Sequence, residues 1–337
     1  EVIAFKGYEY RDDKIKAMLG KDSLMSYIRA VNYIAKNNFD AVVIEHEYVH
    51  YNPIMFPFFL AYLKLRGIKI NIVMHTIAKY NDFLKRTIFK LWNSSFLLFT
   101  DRLYIHTDYA AKKIKKETFF QPRNTSLLNI PIEHKRKKFG AIREGNVKNL
   151  LAQGFMAEDK GYHLIVDAFG GEKGYKVKIA GTVNESSMKK QHDYFDMIKK
   201  KAMKYDNIEI IDKFLSEKEK DEVIEWCDFI MLPYTKTEQS ANLTTAWSFY
   251  KIPICSDIIP LKEEVKDNKY GILFKNNDSS NLKRVLDQYK DNVDVQKEII
   301  ENIKKLVDER SYKQMAKKFI ETLELSRKTK TRLQNER

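Results

Sequence analysis

The stretch Leu150 to Gly181, LLAQGFMAEDKGYHLIVDAFGGEKGYKVKIAG, decides the fold. It begins with a short apolar run that ends at Gly154, passes through a polar turn, and enters a helical pattern at Lys160-Gly161. A second apolar run starts at Val177 and closes the stretch. Strand, loop, helix and strand in this order have the size of one right-handed βαβ unit. The stretch therefore predicts a parallel sheet with helices packed on it.

The loop that leaves the first of these strands is a candidate phosphate site. Where a strand turns into a helix, free backbone N–H groups and the positive helix end meet, and both attract phosphate. Lys160 would add a full positive charge at that point. The alternative is an ordinary surface lysine beside a turn glycine. Lys160-Gly161 alone favours this alternative, because short motifs often match by chance.

Length and charge narrow the classes of function. The chain has 337 residues, a length that suggests two domains, and 44% of them are hydrophobic, enough for large cores. The net charge of +14 suits an anionic partner, either nucleotide phosphates, an anionic membrane or nucleic acid. No nucleic-acid recognition motif is present and the basic residues are spread out, so no nucleic-acid partner is predicted.

The cysteines and the apolar runs indicate the compartment. Cys227 and Cys255 lie in apolar contexts without metal-ligand spacing, as expected of buried free thiols in a reducing compartment. No apolar run reaches the length of a membrane span. No signal peptide is recognised ahead of the strand predicted at Val2 to Phe5. These features predict a cytoplasmic protein, with a peripheral position on the inner face of the cell membrane left open.

Strands and helices also alternate in the first half, and three of its predicted strands end in histidine-bearing turns. These turns are Glu45-His46-Glu47, His75-Thr76 and His106-Thr107. Ligands of parallel sheets collect at the carboxyl ends of the strands. Each histidine alone is more often a structural residue, but three at one edge favour a shared cleft. Their spacing does not match a zinc motif, and no metal is predicted.

Residues 135–148, KRKKFGAIREGNVK, interrupt the alternation. They are charged and lack apolar periodicity, so they are interpreted as a linker, with a long surface loop as the alternative. The predicted domains are therefore an acceptor-side α/β domain at 1–134 and a donor domain at 149–310. Residues 311–337 are expected to form a helix that returns toward the first domain, followed by a basic tail.

The segment 80–99 is amphipathic. Its apolar side chains include Phe83, Leu84, Ile88, Leu91, Trp92, Phe96 and Leu97, and Lys85, Arg86 and Lys90 lie on other faces. One interpretation is a helix that enters an anionic membrane surface and receives a lipid-linked acceptor. The other, which the pattern slightly favours, is a helix packed on the sheet.

The second half resembles the donor domain of retaining glycosyltransferases of GT-B fold, glycosyltransferase family 4. Five short signals occur in that family's order. They are Gly154-Phe155-Met156 followed by Lys160-Gly161, Met231-Leu232-Pro233-Tyr234 followed by a loop and Ser240-Ala241-Asn242, Pro253-Ile254-Cys255-Ser256, Tyr270-Gly271-Ile272-Leu273-Phe274, and Ser311-Tyr312 before the last helix. The turns after the first-half strands are similar as well, so the resemblance covers nearly the whole chain. It implies two Rossmann-like domains that face each other across a cleft.

The resemblance also implies a role for each matching position. Lys160 would neutralise the donor diphosphate, and backbone N–H groups at Ala241 to Leu243 would hold the distal phosphate and a sugar hydroxyl. His75 or His106 would face the transferred sugar, with Glu238 as a further catalytic candidate. The remaining donor-contacting candidates lie beside these residues; they are Gly154, Gly161, Gln239, Ser240, Ala241, Asn242, Leu243 and Thr245.

Two departures from the family pattern affect this interpretation. Phe155 stands where the family usually has arginine, and Thr237 and Thr245 stand where it usually has two glutamates. Glu238 lies one position from the first of them and would serve if the loop register shifts. Carboxylates bind sugar hydroxyls in paired hydrogen bonds, whereas threonine makes weaker single ones.

The resulting expectation is a retaining, metal-independent glycosyltransferase without a cofactor. Its donor would be a nucleotide-sugar, a UDP- or GDP-sugar, and its acceptor a glycan or a lipid-linked molecule. The alternative is a catalytically inactive relative that binds a partner or a glycan.

Overall fold

The computed structural model describes residues 1–7, 10, 12, 14–80, 82–122, 124–136, 145–183 and 188–323. The chain divides into two compact units. The first unit consists of Glu1–Asn129 with Lys317–Arg337, and the second of Ile130–Ala316. Most of the linker predicted at 135–148, and the basic tail from residue 324, lie outside the described residues.

The first unit alternates strands and helices. Its elements are β1 (Val2–Phe5), β2 (Ile15–Leu19), α1 (Leu24–Lys36), β3 (Ala41–His46), α2 (Met55–Leu65), β4 (Lys69–Met74), α3 (Phe83–Leu97), β5 (Arg102–Ile105), α4 (Asp108–Lys116) and β6 (Thr125–Leu127). Four strands form a parallel sheet in the order β3-β4-β5-β6. The strands β1 and β2 form a separate parallel pair. Strand β4 is buried along its length, because helices cover both faces of a parallel sheet.

The second unit begins with the stretch that opened the sequence analysis. Its elements are β7 (Lys148–Gln153), a 3-10 turn (Glu158–Lys160), α5 (Tyr162–Phe169), β8 (Tyr175–Ala180), α6 (Lys189–Ala202), β9 (Ile208–Ile211), α7 (Glu217–Trp226), β10 (Phe229–Leu232), α8 (Ala241–Ser248), β11 (Ile252–Ser256), α9 (Ile259–Val265), β12 (Ile272–Phe274), α10 (Ser279–Tyr289), α11 (Val293–Glu309) and α12 (Tyr312–Thr322). Residues of α12 from Lys317 onward belong to the first unit.

The sheet of the second unit has the order β12-β11-β10-β7-β8-β9, and all its strands run parallel. From β7 the chain builds outward through β8 and β9, and then crosses back to place β10 on the other side of β7. The order therefore reverses between β7 and β10. In open α/β sheets, ligands bind in the crevice at such a switch point, at the carboxyl ends of the strands.

The predicted elements agree with the structure except at particular places. The helix expected to open at Lys160-Gly161 begins instead at Tyr162, because Gly161 adopts a left-handed φ of +68° after a 3-10 turn. Strands β2 and β6 were not predicted. A capping box opens α7: Ser216 Oγ accepts from the N–H of Glu219, whose carboxylate accepts from the N–H of Ser216. Cys227 and Cys255 are buried free thiols, as predicted.

Candidate functional site

The switch point of the second unit is built around glycines that allow loops to touch. Gly154 follows β7 with a φ of +129°, and Gly181 follows β8 with a φ of +145°. A Cβ on Gly181 would lie 1.9 Å from the carbonyl oxygen of Gly154, so no other residue fits without moving the backbone. The loops after β7 and β8 are thus packed directly on each other at the carboxyl edge of the sheet.

Gly161 fixes the loop that carries Lys160. A Cβ on Gly161 would lie 2.0 Å from the carbonyl oxygen of Pro233, in the loop after β10. The N–H of Thr235 also donates to the carbonyl oxygen of Asp159 at 2.9 Å. The loops after β7 and β10, distant in sequence, are therefore joined on both sides of Lys160.

Lys160 is a desolvated cation above an aromatic ring. Its Nζ lies 4.0 Å from the centroid of the Tyr234 ring, and burial lowers the pKa of the ammonium from its ordinary value. Within the residues that the structure describes, no carboxylate forms an ion pair with Lys160. A half-buried cation without a counter-ion is stabilised by an anionic ligand.

Asn242 ties the start of α8 to the end of β7. Its Nδ2 donates to the carbonyl oxygen of Gln153 at 2.8 Å and to Tyr234 Oη at 2.9 Å. A Cβ on Gly154 would lie 3.1 Å from the same Nδ2 atom. The structure thus brings Gly154, Lys160 and Asn242 to one place.

The other predicted donor contacts are distributed along the start of α8. The side chain of Ser240 accepts from the N–H of Leu243 at 3.2 Å, so this cap already uses the Leu243 N–H. The N–H groups of Ala241 and Asn242, in the first turn, have no acceptor within an α-helix. The hydroxyl of Thr245 donates to the carbonyl oxygen of Ala241 at 2.9 Å. Glu238 and Gln239 lie half-buried in the preceding loop.

Three residues of this site were not predicted. Tyr234 is buried beneath Lys160, and burial raises the pKa of its hydroxyl to about 12. The buried atoms Gln153 Nε2 and Tyr162 Oη have no hydrogen-bond partner among the described residues. The sequence signal for Tyr234 was its position directly after the Leu-Pro strand end. Gln153 and Tyr162 carried no signal, because they read as the end of a strand and the start of a helix.

In the first unit, His75 and His106 meet at the carboxyl ends of β4 and β5. His106 Nε2 lies 3.2 Å from His75 Nδ1, and the rings stack with centroids 5.1 Å apart. His75 Nε2 lies 2.7 Å from a carboxylate oxygen of Glu45. His106 Nδ1 lies 2.7 Å from the carbonyl oxygen of Leu128. All four ring nitrogens therefore have partners inside the first unit.

These partners assign the protons. A carbonyl oxygen only accepts, so His106 Nδ1 carries hydrogen and, in the neutral ring, Nε2 is the acceptor. His75 Nδ1 then donates to His106, and His75 Nε2 donates to Glu45, which makes His75 an imidazolium. The pKa directions agree: the hydrogen bond to Glu45 raises the pKa of His75, and burial lowers that of His106.

The third strand-end histidine, His46, does not join this cluster, so the expectation that all three share a cleft is wrong for it. His46 is fully buried among aromatic rings, with the Phe96 centroid at 4.9 Å and the stacked Tyr51 ring at 5.5 Å. Neither ring nitrogen has a partner among the described residues. Burial is the main cause that lowers the pKa of His46 to about 3, so the ring is neutral. His46 is a core residue.

Segment 80–99 contains α3, which is buried on one side and exposed on the other. One side of α3 is buried through Trp92, Phe96 and Leu97. Four large apolar side chains on the opposite side remain exposed: Phe83 at 85%, Leu84 at 66%, Ile88 at 53% and Leu91 at 57% of their surface. The described part of the chain contains no helix that is long and apolar enough to cross a membrane. It also contains no group of three or more His, Cys, Asp or Glu side chains placed to hold a metal ion.

Solved structures with the same fold are known. The chain superposes on Anabaena Alr3699/HepE in complex with UDP with a TM-score of 0.75, at 10% identity, over 91% of this chain and 85% of that chain. It matches a glycosyltransferase from Rickettsia africae ESF-5 with a TM-score of 0.71, at 15% identity, over 91% and 83%. It matches a sucrose-phosphate synthase from Thermosynechococcus elongatus with a TM-score of 0.68, at 10% identity, over 91% and 79%. The expected fold class, two Rossmann-like α/β domains of GT-B fold, is confirmed.

The sequence places the chain in a family. Residues 134–306 match the family of glycosyl transferases group 1, which is more than half of the 337 residues. The chain belongs to this family and is a glycosyltransferase by membership. No curated protein matches it in sequence.

Proposed function

We propose that this chain is a retaining glycosyltransferase of family 4, which moves a sugar from a nucleotide-sugar to a glycan or a lipid-linked acceptor without a metal ion. The observation that carries the proposal is the desolvated Lys160 ammonium at the switch point of the second unit. Negative charge builds up on the leaving phosphate as the glycosidic bond breaks, and a fixed cation in a site of low dielectric stabilises that charge.

The diphosphate of the donor occupies the crevice between the ends of β7 and β10. One phosphate pairs with Lys160 Nζ, and the other receives the N–H groups of Ala241 and Asn242 at the positive end of α8. Leu243 supports this end of the helix through the Ser240 cap and makes no direct phosphate contact. Anabaena Alr3699/HepE, which shares the fold, has been crystallised with UDP and with UDP-glucose, which supports a UDP-sugar ahead of a GDP-sugar.

Glu238 provides the contact to the donor sugar. The hydroxyl of Thr245 donates to the carbonyl oxygen of Ala241, and the hydroxyl of Thr237 donates to the carbonyl oxygen of Gln239 at 2.6 Å. Glu238, in the loop before α8, is then the carboxylate that binds a sugar hydroxyl. It takes the place of the two glutamates usual in family 4. His75, held as an imidazolium by Glu45, contributes positive charge rather than a proton acceptor to the reaction.

The acceptor side of the proposal rests on α3. The exposed apolar face and the exposed Lys85 suit insertion into the headgroup region of an anionic membrane. Further exposed lysines lie at the end of α4, and Lys90 lies 5.6 Å from the ring of the exposed Phe119. This combination supports a lipid-linked acceptor and a peripheral position on the inner face of the cell membrane.

The test is a thermal-shift panel of UDP, GDP, ADP and their sugar conjugates without and with EDTA. A ligand at a hundred times its Kd stabilises the folded protein by about 2.7 kcal/mol, which a melting curve resolves. We expect a selective, EDTA-insensitive shift with UDP or UDP-sugars, lost in Lys160→Ala. The thermal shift should remain in Lys204→Ala, which removes the same charge from an exposed position of the same unit. The anomeric configuration of the transfer product, determined by NMR, then tests whether the reaction retains the configuration of the donor sugar.

The alternative is an inactive relative, favoured by Phe155 at the arginine position and by the two internally bonded threonines. It predicts a cooperatively melting protein whose midpoint does not move with any nucleotide. The inactive relative would also be favoured if a nucleotide raised the melting midpoint but no sugar transfer to any acceptor could be measured. The assay conditions must be ones in which slow hydrolysis of the donor would be detected.

A further inference from the structure

Two exposed phenylalanine rings meet at the carboxyl edge of the sheet in the second unit. Phe155 follows β7 and Phe214 follows β9, and their ring centroids lie 6.0 Å apart at an interplanar angle of 72°. The two residues expose 59% and 60% of their surface. A single exposed apolar side chain is common, but two rings in contact at the edge where ligands of parallel sheets bind form an aromatic platform.

The loop that carries Phe155 is fixed on both sides of this residue. The N–H of Gly154 donates to the carbonyl oxygen of Ala180 at 3.0 Å, and the N–H of Met156 donates to that of Thr182 at 3.3 Å. The extended pairing of β7 with β8 thus continues beyond the last residue of each strand. Successive side chains of an extended segment point to opposite sides, and Met156 is buried. Phe155 is therefore directed toward solvent.

The loop that carries Phe214 is fixed as well. Phe214 lies between the end of β9 and the capping box that opens α7 at Ser216, and its neighbour Leu215 packs against the core. The hydroxyl of Thr182 donates to a carboxylate oxygen of Asp212 at 2.7 Å, which joins the loops after β8 and β9. Because both rings stand on loops that are bonded to each other, the fold itself holds the aromatic platform together, and little ordering is needed when a ligand binds.

The aromatic platform adjoins the diphosphate site through Gly154. A Cβ on Gly154 would lie 3.1 Å from Asn242 Nδ2 at the start of α8, and Phe155 is the next residue in the chain. The strand order is β10-β7-β8-β9, so the diphosphate crevice and the aromatic platform lie on opposite sides of the end of β7. A diphosphate held by Lys160 directs its sugar toward Glu238, in the loop after β10. The nucleoside at its other end is then directed toward the aromatic platform.

We infer that the aromatic platform binds the nucleobase of the donor, with Phe155 and Phe214 as the residues that contact the base. This inference rests on the proposed function, because it takes the diphosphate to lie between Lys160 and α8. A planar, uncharged base suits an apolar surface, whereas a phosphate would lose its hydration there. Stacking of one base on an aromatic side chain changes affinity by about fivefold to a hundredfold.

The aromatic platform gives a physical reason for the departure from the family pattern at Phe155. Family 4 usually has arginine at this position, and a guanidinium suits phosphate because it forms paired, charge-assisted hydrogen bonds. Phenylalanine has no charge and no donor, so Lys160 supplies the charge for the diphosphate. The position of Phe155 contributes a ring to the nucleobase instead. Phenylalanine at this position is thus compatible with donor binding.

Calorimetric titrations of the 337-residue chain with UDP, GDP and inorganic pyrophosphate separate the base from the phosphates. Phe155→Ala and Phe214→Ala should each weaken binding of the nucleotide that the parent prefers by about tenfold, and leave pyrophosphate binding unchanged. Phe155→Tyr keeps the ring and should retain the affinity of the parent. The matched control is Met203→Ala, which truncates an 82% exposed apolar side chain at the end of α6, where the chain returns to the amino edge of the sheet. It should change neither affinity.

The possible outcomes distinguish the inference from the proposed function. Unchanged nucleotide affinity in both phenylalanine-to-alanine variants, with binding that is still lost in Lys160→Ala, would overturn the inference and leave the proposed function in place. Equal losses for nucleotide and pyrophosphate would also overturn the inference, because the rings would then support only the phosphate site. A parent chain that binds none of the three ligands would contradict the proposed function and the inference together.

Phe155→Arg tests the exchange of roles at this position. The variant restores the residue usual in family 4, and we expect it to bind pyrophosphate more tightly and to show a smaller ratio of nucleotide affinity to pyrophosphate affinity than the parent. An equal gain for both ligands would show that the Phe155 ring does not contact the base.

Nuclear Overhauser effects locate the base directly. In the complex with UDP-glucose, the ring protons of Phe155 and Phe214 should show effects to the protons of the uracil base. Effects to the glucose protons instead would assign the aromatic platform to the transferred sugar and would overturn the inference.

Discussion

The ammonium of Lys160 lies 4.0 Å from the centroid of the Tyr234 ring, and the hydroxyl of that ring accepts a hydrogen bond from Asn242 Nδ2 at 2.9 Å. A single buried tyrosine thus contacts the cation that we assign to one phosphate and the helix start that we assign to the other. The negative face of the ring attracts the ammonium where water is excluded. Tyr234 therefore sets the positions of both phosphate contacts.

Substitutions at Tyr234 separate its two contacts. Tyr234→Phe keeps the ring face and removes the hydroxyl, whereas Tyr234→Leu removes the ring. We expect Tyr234→Leu to weaken nucleotide diphosphate binding by about tenfold, because a desolvated cation–π contact contributes about 1–2 kcal/mol. Tyr234→Phe is expected to lose less affinity for the nucleotide diphosphate. Isothermal titration with the nucleotide chosen by the thermal-shift panel measures the affinity of both variants. Equal losses of affinity would show that the ring face does not contribute to binding.

Gly161→Ala tests the contact between the loops after β7 and β10. The new Cβ would lie 2.0 Å from the Pro233 carbonyl oxygen, at a φ of +68°. Gly171→Ala is the matched control, because its φ is +78° but its nearest neighbour is the Tyr205 ring at 3.5 Å, an ordinary contact. The control carries only the strain of φ, about 1 kcal/mol. Gly161→Ala should lower the free energy of unfolding by clearly more, measured by urea denaturation. Similar losses in both variants would mean that the loops are not packed as observed.

Much of the second unit was predictable because strands such as β7 and β8 contain apolar residues and end at Gly154 and Gly181. Strand β2, with the sequence Ile-Lys-Ala-Met-Leu, was missed because it carries a lysine and exposed positions, and β6 because Thr125-Ser126-Leu127 is short and polar. Gly154 and Lys160 could be proposed from the family resemblance, because they stand in its first signal, Gly154-Phe155-Met156 followed by Lys160-Gly161. Tyr234 could not, since its role depends on a contact between loops distant in sequence.

Histidine shows the same limit at a single residue type. His46 and His75 both follow apolar strands and look equivalent in sequence. The structure buries one among aromatic rings and pairs the other with Glu45. Local patterns do not reveal which neighbours the fold supplies, and these neighbours decide whether the imidazole is neutral or charged.

His46→Phe should stabilise the protein and reduce its sensitivity to acid. The pKa of His46 is about 3 in the folded chain against an ordinary 6.5. Between these values the unfolded chain binds a proton that the folded chain does not, so stability falls as pH decreases below about 6.5. By pH 5 the loss is about 2 kcal/mol. Phenylalanine removes this term and also the two unpaired nitrogens.

Denaturant titrations at pH 7 and pH 5 measure this effect. The control is His192→Phe at an exposed position, which should leave the difference between the two pH values unchanged. A His46→Phe variant that is less stable than the parent at both pH values would show that the imidazole has a partner in solution.

The proton assignment at His75 and His106 is open to nitrogen NMR. At neutral pH, His75 should appear as an imidazolium and His106 as the neutral tautomer with hydrogen on Nδ1. Glu45→Gln should lower the pKa of His75, because the hydrogen bond to Glu45 is the largest cause of its increase. Glu47→Gln is the control, since Glu47 bonds Thr76 and acts on His75 only at a distance.

This pair also has a defined effect on stability. A histidine with a raised pKa in the folded state stabilises fully below the pKa of the unfolded chain, and the contribution is lost as pH rises through the folded pKa. The Glu45 variant should therefore lose stability relative to the parent at pH 6 and approach it at high pH. A difference that grows with increasing pH would contradict the assignment.

The exposed face of α3 predicts binding to anionic membranes. Phe83, Leu84, Ile88 and Leu91 occupy a continuous sector of about 140° on a helix with 100° per residue. The buried Trp92 and Phe96 lie outside that sector, so membrane contact leaves the core intact. We expect binding to vesicles that contain phosphatidylserine or phosphatidylglycerol, weaker binding to neutral phosphatidylcholine vesicles, and a decrease with salt, because the adjacent lysines contribute electrostatic attraction.

Leu84→Glu and Leu65→Glu form a matched pair for this test. Both leucines are exposed and both substitutions add one negative charge, but Leu65 lies at the end of α2. Burial of a leucine contributes about 1.5–3 kcal/mol, so Leu84→Glu should reduce partitioning to anionic vesicles by about tenfold or more. Leu65→Glu should reduce it only by the small effect of one charge. Equal reductions would mean that net charge alone attracts the protein to the surface, and the apolar face of α3 would then need a different occupant.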